Sequence, residues 1–282
     1  MSKLFEDLAF YLSFPFVRYA IIVGILVSLC ASLLGVILVL KRFSFIGDGL
    51  SHTAFGAMAI ASVLKLSNNM IITLPITIIC AILLLKTSKN KKVNGDALVA
   101  LLSVSSLAFG YLILNVFNVS SNVSGDVCTT LFGSTSILTL SKSDVWISII
   151  LTLIVILFFI LLYNKIFAIT FDEIYAKASG TKTEWYNIII ATIIAIVIVV
   201  AMNLVGSLLV SALVIFPALS SMRIFKSFKA VTISSGIISI ICSFVGIIVS
   251  ILAGTPVGAT IILVDIICFI AFYILGLSVR GK

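Results

Sequence analysis

The chain has 282 residues, 62% of them hydrophobic and only 10% charged, with a formal net charge of +8. Soluble domains carry about 25% charged residues, so this composition, with a mean hydropathy of +1.35, excludes a soluble enzyme and specifies an integral membrane protein. The positive excess reflects the cytoplasmic loops of a multi-span protein, and no nucleic-acid partner is expected.

Apolar runs near the ~20 residues a spanning helix needs recur along the whole chain, which excludes the shorter alternating strands of a membrane barrel. No polar stretch is long enough to form a soluble domain, so residues 1–282 are read as one transmembrane domain. The first span is expected at about 18–40, ending at Lys41-Arg42. No small-residue cleavage site closes it, so a removable signal peptide is not expected. The second span, about 44–64, carries Asp48 and His52, and the third, about 69–85, runs into the basic stretch Lys86–Lys92. The fourth covers about 95–117. A Ser/Asn/Thr-rich segment follows, in which Leu131-Phe132-Gly133-Ser134 reads as a short interfacial helix, and the fifth span is about 144–163.

Residues 165–185 are too polar to span. Asp172-Glu173 is a helix start signal, and Lys177 and Gly180 are stop signals, so a short helix at about 168–180 is expected outside the bilayer. Residues 186–222 suit either two short spans or one long helix followed by a re-entrant piece over 204–222, interrupted at Pro217. The last two spans are about 230–252 and 257–278, joined at Gly254-Thr255-Pro256. The total is eight or nine. With nine, fourteen of the eighteen Lys and Arg fall on the cytoplasmic side.

His52 is the only histidine in the chain, and Asp48 precedes it by one helical turn. Side chains at i and i+4 share a helix face, with Cβ atoms about 5–6 Å apart. Carboxylate and imidazole are costly in hydrocarbon and normally face a bundle interior or a watery path. Together they are also ligands for a divalent transition metal. The plain alternative is a polar pair that ties two helices together, at about 0.6–2 kcal/mol per bond. Gly47, Gly49 and Gly56 surround the pair and would admit a second helix or a symmetry mate at close range. Two copies meeting here would supply two carboxylates and two imidazoles, enough for a tetrahedral ion such as Zn²⁺. Ser51, beside the pair, and Asp265, mid-way along the last span, are candidates to line the same path. Asp265 could instead be protonated and bonded to a nearby hydroxyl, and Asp96 reads as a helix-start residue.

In the 165–185 segment, Phe171, Ile174 and Tyr175 stand at i, i+3 and i+4, a narrow apolar stripe suited to a groove on a partner protein. The five cysteines are scattered, without a C-x-x-C; the four in apolar runs read as small buried residues, and Cys128 as the one that meets water. The sequence contains no G-x-x-x-x-G-K-[ST], no H-E-x-x-H and no G-x-S-x-G. The chain is therefore not expected to be an enzyme, and any ATP-driven engine must sit on another chain.

The stretch from Gly35 to Ile60, with Val39-Leu40-Lys41-Arg42 leading to Gly47-Asp48-Gly49-Leu50-Ser51-His52, resembles the signature of the ABC-3 permeases, the membrane subunits of bacterial zinc and manganese ABC transporters. Leu131–Ser134, Phe171-Asp172-Glu173 to Gly180, Val205-Gly206 to Pro217-Ala218, and Gly258 to Val264 are similar to further family segments in the same order. Gly49 and Phe55-Gly56 depart from the family pattern, in which alanine and Leu-Pro-Gly are frequent.

The resemblance implies an all-α polytopic fold of the type II (vitamin B12-importer-like) class. It implies a homodimer in the bacterial cytoplasmic membrane, two ATPase partner subunits and an extracytoplasmic metal-binding protein. Asp48 and His52 would be the metal residues, with Zn²⁺ the first expectation and Mn²⁺ or Fe²⁺ the others. The metal is transported substrate, and no tightly bound cofactor is expected. The helix at 168–180, with Phe171, Asp172, Glu173, Ile174, Tyr175 and Gly180, would be the coupling helix on the ATPase. A histidine must be neutral to ligate, so transport should fail at mildly acidic pH. The alternative is a secondary cation transporter with Asp48, His52 and Asp265 as a proton relay.

Overall fold

The computed structural model describes residues 10–66, 68–87, 95–117, 133 and 140–280. Cys128, Leu131, Phe132 and Ser134 lie outside them. Among the described residues all regular structure is helical, in the order α1 (Pro15–Leu40), α2 (Ile46–Val63), α3 (Met70–Thr87), α4 (Gly95–Val116), α5 (Lys142–Phe171), α6 (Glu173–Ala178), α7 (Thr183–Val205), α8 (Ser207–Ile224), α9 (Phe228–Ala253) and α10 (Val257–Arg280).

Eight of these are long and apolar enough to cross a membrane: α1, α3, α4, α5, α7, α8, α9 and α10. The ninth long helix, α2, is less apolar because Asp48, Ser51 and His52 fall in its first two turns. It compensates by position, lying inside the bundle against α4, α3 and α8, with little surface left for lipid. The outward faces of the other helices are apolar: Leu101, Leu161 and Ile267 are 71%, 70% and 67% exposed. Such a surface is stable where lipid is the solvent and would be a liability in water.

α1 is the axial helix, packed against α9, α8 and α5. Where it meets α9 the contact is made by small residues. Ser239 Oγ donates to the Ser28 carbonyl at 2.8 Å, and Ser235 Oγ to the Ser32 carbonyl at 3.4 Å. Small residues allow this close approach, and packing with interhelical hydrogen bonds supplies the adhesion that hydrophobicity cannot give between helices in lipid. A single apolar core joins α1, α5, α7 and α8, and a smaller cluster of Ala54, Phe55, Val199 and Met202 fixes α2 to α7.

α1 ends in a Schellman turn. The Phe43 N–H bonds the Leu38 carbonyl at 2.8 Å and the Arg42 N–H bonds that of Val39 at 3.0 Å. Arg42 occupies the left-handed position with φ 62°, where glycine is usual. Five residues later α2 has begun, so this turn sets the direction of the helix that carries Asp48 and His52.

Two boundaries differ from the sequence expectation. α5 does not stop near 163 but continues to Phe171. Its last turns are held by rings: Phe167, Phe171 and Phe228 of α9 lie 4.8–6.0 Å apart, centroid to centroid. The short helix expected over about 168–180 is therefore only Glu173–Ala178, and Phe171 belongs to α5. Over 186–222, where two short spans were one of the two readings, the structure has two helices, α7 and α8, of 23 and 18 residues, broken at the single residue Gly206, φ 93° and ψ 154°, with Pro217 inside α8. A helix of 18 residues rises about 27 Å, close to the hydrocarbon thickness. Gly133 packs so closely on the Val205 carbonyl that a Cβ would collide with it, placing this residue against the α7–α8 break.

Candidate functional site

Asp48 and His52 lie on one face of α2, as their spacing requires, with His52 Nε2 3.3 Å from Asp48 Oδ1. The Asp48 carboxylate is also met from two other helices. Ser103 of α4 approaches Oδ2 at 3.5 Å, and Ser211 of α8 approaches Oδ1 at 3.4 Å, each as a hydroxyl donor. Three helices thus converge on one acid, which is 43% exposed at its side chain while His52 is 18% exposed. The acid faces open space and the imidazole backs it. His52 Nδ1 is buried without a hydrogen-bond partner among the described residues.

Ser51, fully buried, turns its hydroxyl back to the Asp48 backbone carbonyl at 2.8 Å and steadies the turn that carries the acid. Asp265 does not join this group. It is 1% exposed on α10, with no hydrogen-bond partner for either oxygen among the described residues and with the thiols of Cys242 on α9 and Cys268 on α10 as polar neighbours. Ser103 and Ser211 escaped the sequence reading. Both are single hydroxyls in apolar helices, and nothing in their local pattern separates them from the serines that simply bond the preceding turn.

The glycines around the pair serve contacts within the protomer. Gly56 packs on the Ser106 carbonyl of α4, where an added Cβ would stand 2.8 Å from the oxygen, and Gly49 faces Val99 at 2.7 Å on the same terms. Gly47 lies against Val214 of α8. These approaches bring α4 and α8 near enough for Ser103 and Ser211 to reach the carboxylate. They do not leave a groove for a symmetry mate on that side of α2.

The other predicted surface is α6. Asp172 is its N-cap, accepting from the Tyr175 N–H at 2.8 Å, and Gly180 at φ 83° closes it, with the Thr181 N–H on the Ala176 carbonyl at 3.0 Å. Ala176 is the buried foot of this helix, while Ile174, Tyr175 and Phe171 stand 85%, 70% and 56% exposed. Glu173 turns the other way and accepts from Asn187 Nδ2 at 2.9 Å. The stripe read from the sequence is therefore split: Ile174 and Tyr175 project from a short, well-capped helix, while Phe171 is the last residue of α5 and packs on Phe167 and Phe228.

An acid–imidazole pair in a helical membrane bundle, with a capped apolar helix projecting from one end, is an arrangement that comparison with known proteins resolves. Residues 13–276 match the family described as the ABC 3 transport family. The chain belongs to that family. It is 30% identical over 263 residues to an uncharacterized membrane protein of Cyanophora paradoxa, covering 93% of this chain and 86% of that one. It is 26% identical to the manganese import system permease protein ScaB of Streptococcus gordonii, covering 93% and 92%. Among solved structures, PsaBC from Streptococcus pneumoniae in complex with Fab superposes with a TM-score of 0.82 at 25% identity, over 95% of this chain and 94% of that one. The protein is thus an ABC-3 family permease, all-α and multi-pass, of the cell membrane.

Proposed function

We propose that this permease carries a divalent transition-metal ion inward through a path on which Asp48 and His52 are ligands. The observation that carries the reading is the 3.3 Å span between Asp48 Oδ1 and His52 Nε2. An ion about 2.1 Å from each atom would subtend about 100° between them, between the octahedral and tetrahedral angles. Among the described residues no group of three or more His, Cys, Asp or Glu could hold a metal ion. Asp48 and His52 supply two ligands, and retained water or a second copy in a homodimer completes the shell.

Manganese is the favoured cargo. A carboxylate flanked by two hydroxyls and joined by a single imidazole is oxygen-rich, which suits Mn²⁺ better than the sulfur- and nitrogen-rich sites that select zinc, and ScaB is named for manganese import. Zinc, the first expectation from the sequence, and iron become the competing cargoes of the test.

The chain has no phosphate-binding loop, so ATP hydrolysis belongs to separate subunits. α6 is the surface on which they dock, in a complex of two permeases and two ATPases, with an extracytoplasmic binding protein delivering the ion. Neutral imidazole and ionised carboxylate replace part of its hydration shell, and exchange between outward- and inward-open states moves it on.

The test is accumulation of Mn²⁺, Zn²⁺ and Fe²⁺ in cells lacking the endogenous importer and supplied with this permease and its partners, beside the His52→Ala variant. Mn²⁺ uptake that depends on His52 is expected. Undiminished uptake in His52→Ala would remove the site assignment, and uptake without the ATPase would favour a gradient-driven carrier.

A further inference from the structure

We propose that a polar chain of three side chains, Lys41–Asn187–Glu173, transmits movement of α6 to the helix that carries Asp48 and His52. The inference rests on the importer reading above and adds to it the residues through which ATPase and metal site communicate. Lys41 Nζ donates to Asn187 Oδ1 at 2.6 Å, and Asn187 Nδ2 donates to Glu173 Oε1 at 2.9 Å. The middle residue is 7% exposed. A hydrogen bond to a charged group in so dry a setting is stronger than one in water.

The three residues come from three places that must communicate. Glu173 is the first residue of α6. Asn187 lies in the second turn of α7. Lys41 is the C-cap of α1, and the turn Arg42–Phe45 leads directly from it into α2. Apolar packing also links α6 to α2 through α7, which touches both, but it meets α2 along its length at Ala54 and Phe55, whereas the polar chain reaches the turn at which α2 begins. The asparagine amide is suited to the task. Its oxygen accepts from the lysine while its nitrogen donates to the glutamate, so one planar group links opposite charges.

The turn at the far end is built to shift. Arg42 sits at φ 62°, a conformation that costs a non-glycine residue about 1–2 kcal/mol. A cleft of about 340 Å³ opens beside it, lined by Lys41, Arg42, Phe43, Phe171, Glu173 and Asn187. A pull on Glu173 therefore reaches a strained turn with free volume next to it. Beyond the turn, α2 begins at once: the Ile46 N–H bonds the Phe43 carbonyl and the Gly49 N–H that of Phe45. Asp48 lies in the first turn of α2, so a tilt of its start moves the carboxylate directly.

The test uses the assembled transporter, permease with its ATPase and binding protein, in proteoliposomes. Mn²⁺ uptake and phosphate release are measured together, giving ions moved per ATP. Four permeases are compared: unsubstituted, Asn187→Leu, Lys41→Glu, and the double exchange Lys41→Glu/Glu173→Lys, in which a flipped Asn187 amide can bridge the reversed charges. Ions per ATP should fall about tenfold in the two single variants, within the ordinary range of coupling between sites, while ATP hydrolysis persists. The double exchange should recover most of that loss, which a merely structural role would not predict. Ions per ATP within about twofold of the unsubstituted value in both single variants, well below that coupling range, would overturn the proposal. So would a double exchange no better than Lys41→Glu alone. Absence of ATP-driven uptake in the unsubstituted transporter would instead remove the importer reading and this inference with it.

Discussion

The two serines that reach Asp48 allow the site to be weakened in measured steps. In Ser103→Ala and Ser211→Ala the acid keeps its charge and its imidazole neighbour but loses one hydroxyl donor. The contacts are 3.5 and 3.4 Å long, beyond the ordinary O–H···O range, and the Ser211 proton is shared with the Ser207 carbonyl at 3.1 Å. Each is therefore credited with about 0.5 kcal/mol, the bottom of the range for a hydrogen bond. That corresponds to about twofold in apparent metal affinity for each variant, and about fivefold for the pair if they add. Asp48→Asn keeps the shape but has one acceptor oxygen where the carboxylate has two, so it can accept from only one of the serines, and it lacks the negative charge a dication requires, so its loss should exceed that of the double serine variant. The assay is the concentration dependence of Mn²⁺ uptake, with surface amounts of each permease matched by immunoblot. The order expected is unsubstituted, single serine variants, double serine variant, Asp48→Asn. An Asp48→Asn permease with an unchanged half-saturating concentration would refute the claim that this carboxylate holds the ion. A double serine variant weaker than Asp48→Asn would refute the claim that the serines act through it.

Gly56→Ala places a methyl group 2.8 Å from the Ser106 carbonyl, an overpacking that should cost about 1–3 kcal/mol and lower the melting temperature of the detergent-purified protein, whereas Gly254→Ala meets no atom within 4 Å and should be affected only through its left-handed backbone. Ile174→Asp, on the 85% exposed side chain of α6, should abolish co-purification of the ATPase while leaving the helical circular dichroism and melting of the permease unchanged. Acidification should reduce Mn²⁺ uptake, because protons compete with the ion for the imidazole and carboxylate, and raising the Mn²⁺ concentration should restore it in a transport assay run at stepped pH. Asp172→Ala removes the N-cap bond to Tyr175, worth about 1 kcal/mol, and should raise amide hydrogen exchange in α6 before it affects any spanning helix.

The Asp48–His52 pair could be read in advance because its geometry is local. Four residues of helix fix two side chains on one face whatever the rest of the chain does. The caps of α6 were legible for a related reason, since Asp172 and Gly180 act on their own few residues, but that Phe171 stands on α5, apart from Ile174 and Tyr175, was not. The end of α5 was not: polar residues at 164 and 165 suggest a break, yet the helix runs on to Phe171, whose ring meets Phe228, 57 residues further along the chain. The break between α7 and α8 was legible as one of the two readings of 186–222, and the structure places it at Gly206, φ 93°.

Composition and periodicity determined that this chain lives in a bilayer as a bundle of spanning helices, because lipid leaves a backbone few other ways to satisfy its hydrogen bonds. They also determined where its one acid–imidazole couple would stand. Which groups surround that couple was decided by the tertiary structure. Ser103 and Ser211 lie 55 and 163 residues from Asp48 along the chain, and they meet it because side chains without bulk let α4 and α8 close on α2. Lys41 and Asn187 are separated by 146 residues, and their encounter follows from how α1 and α7 pack, a property no single helix encodes.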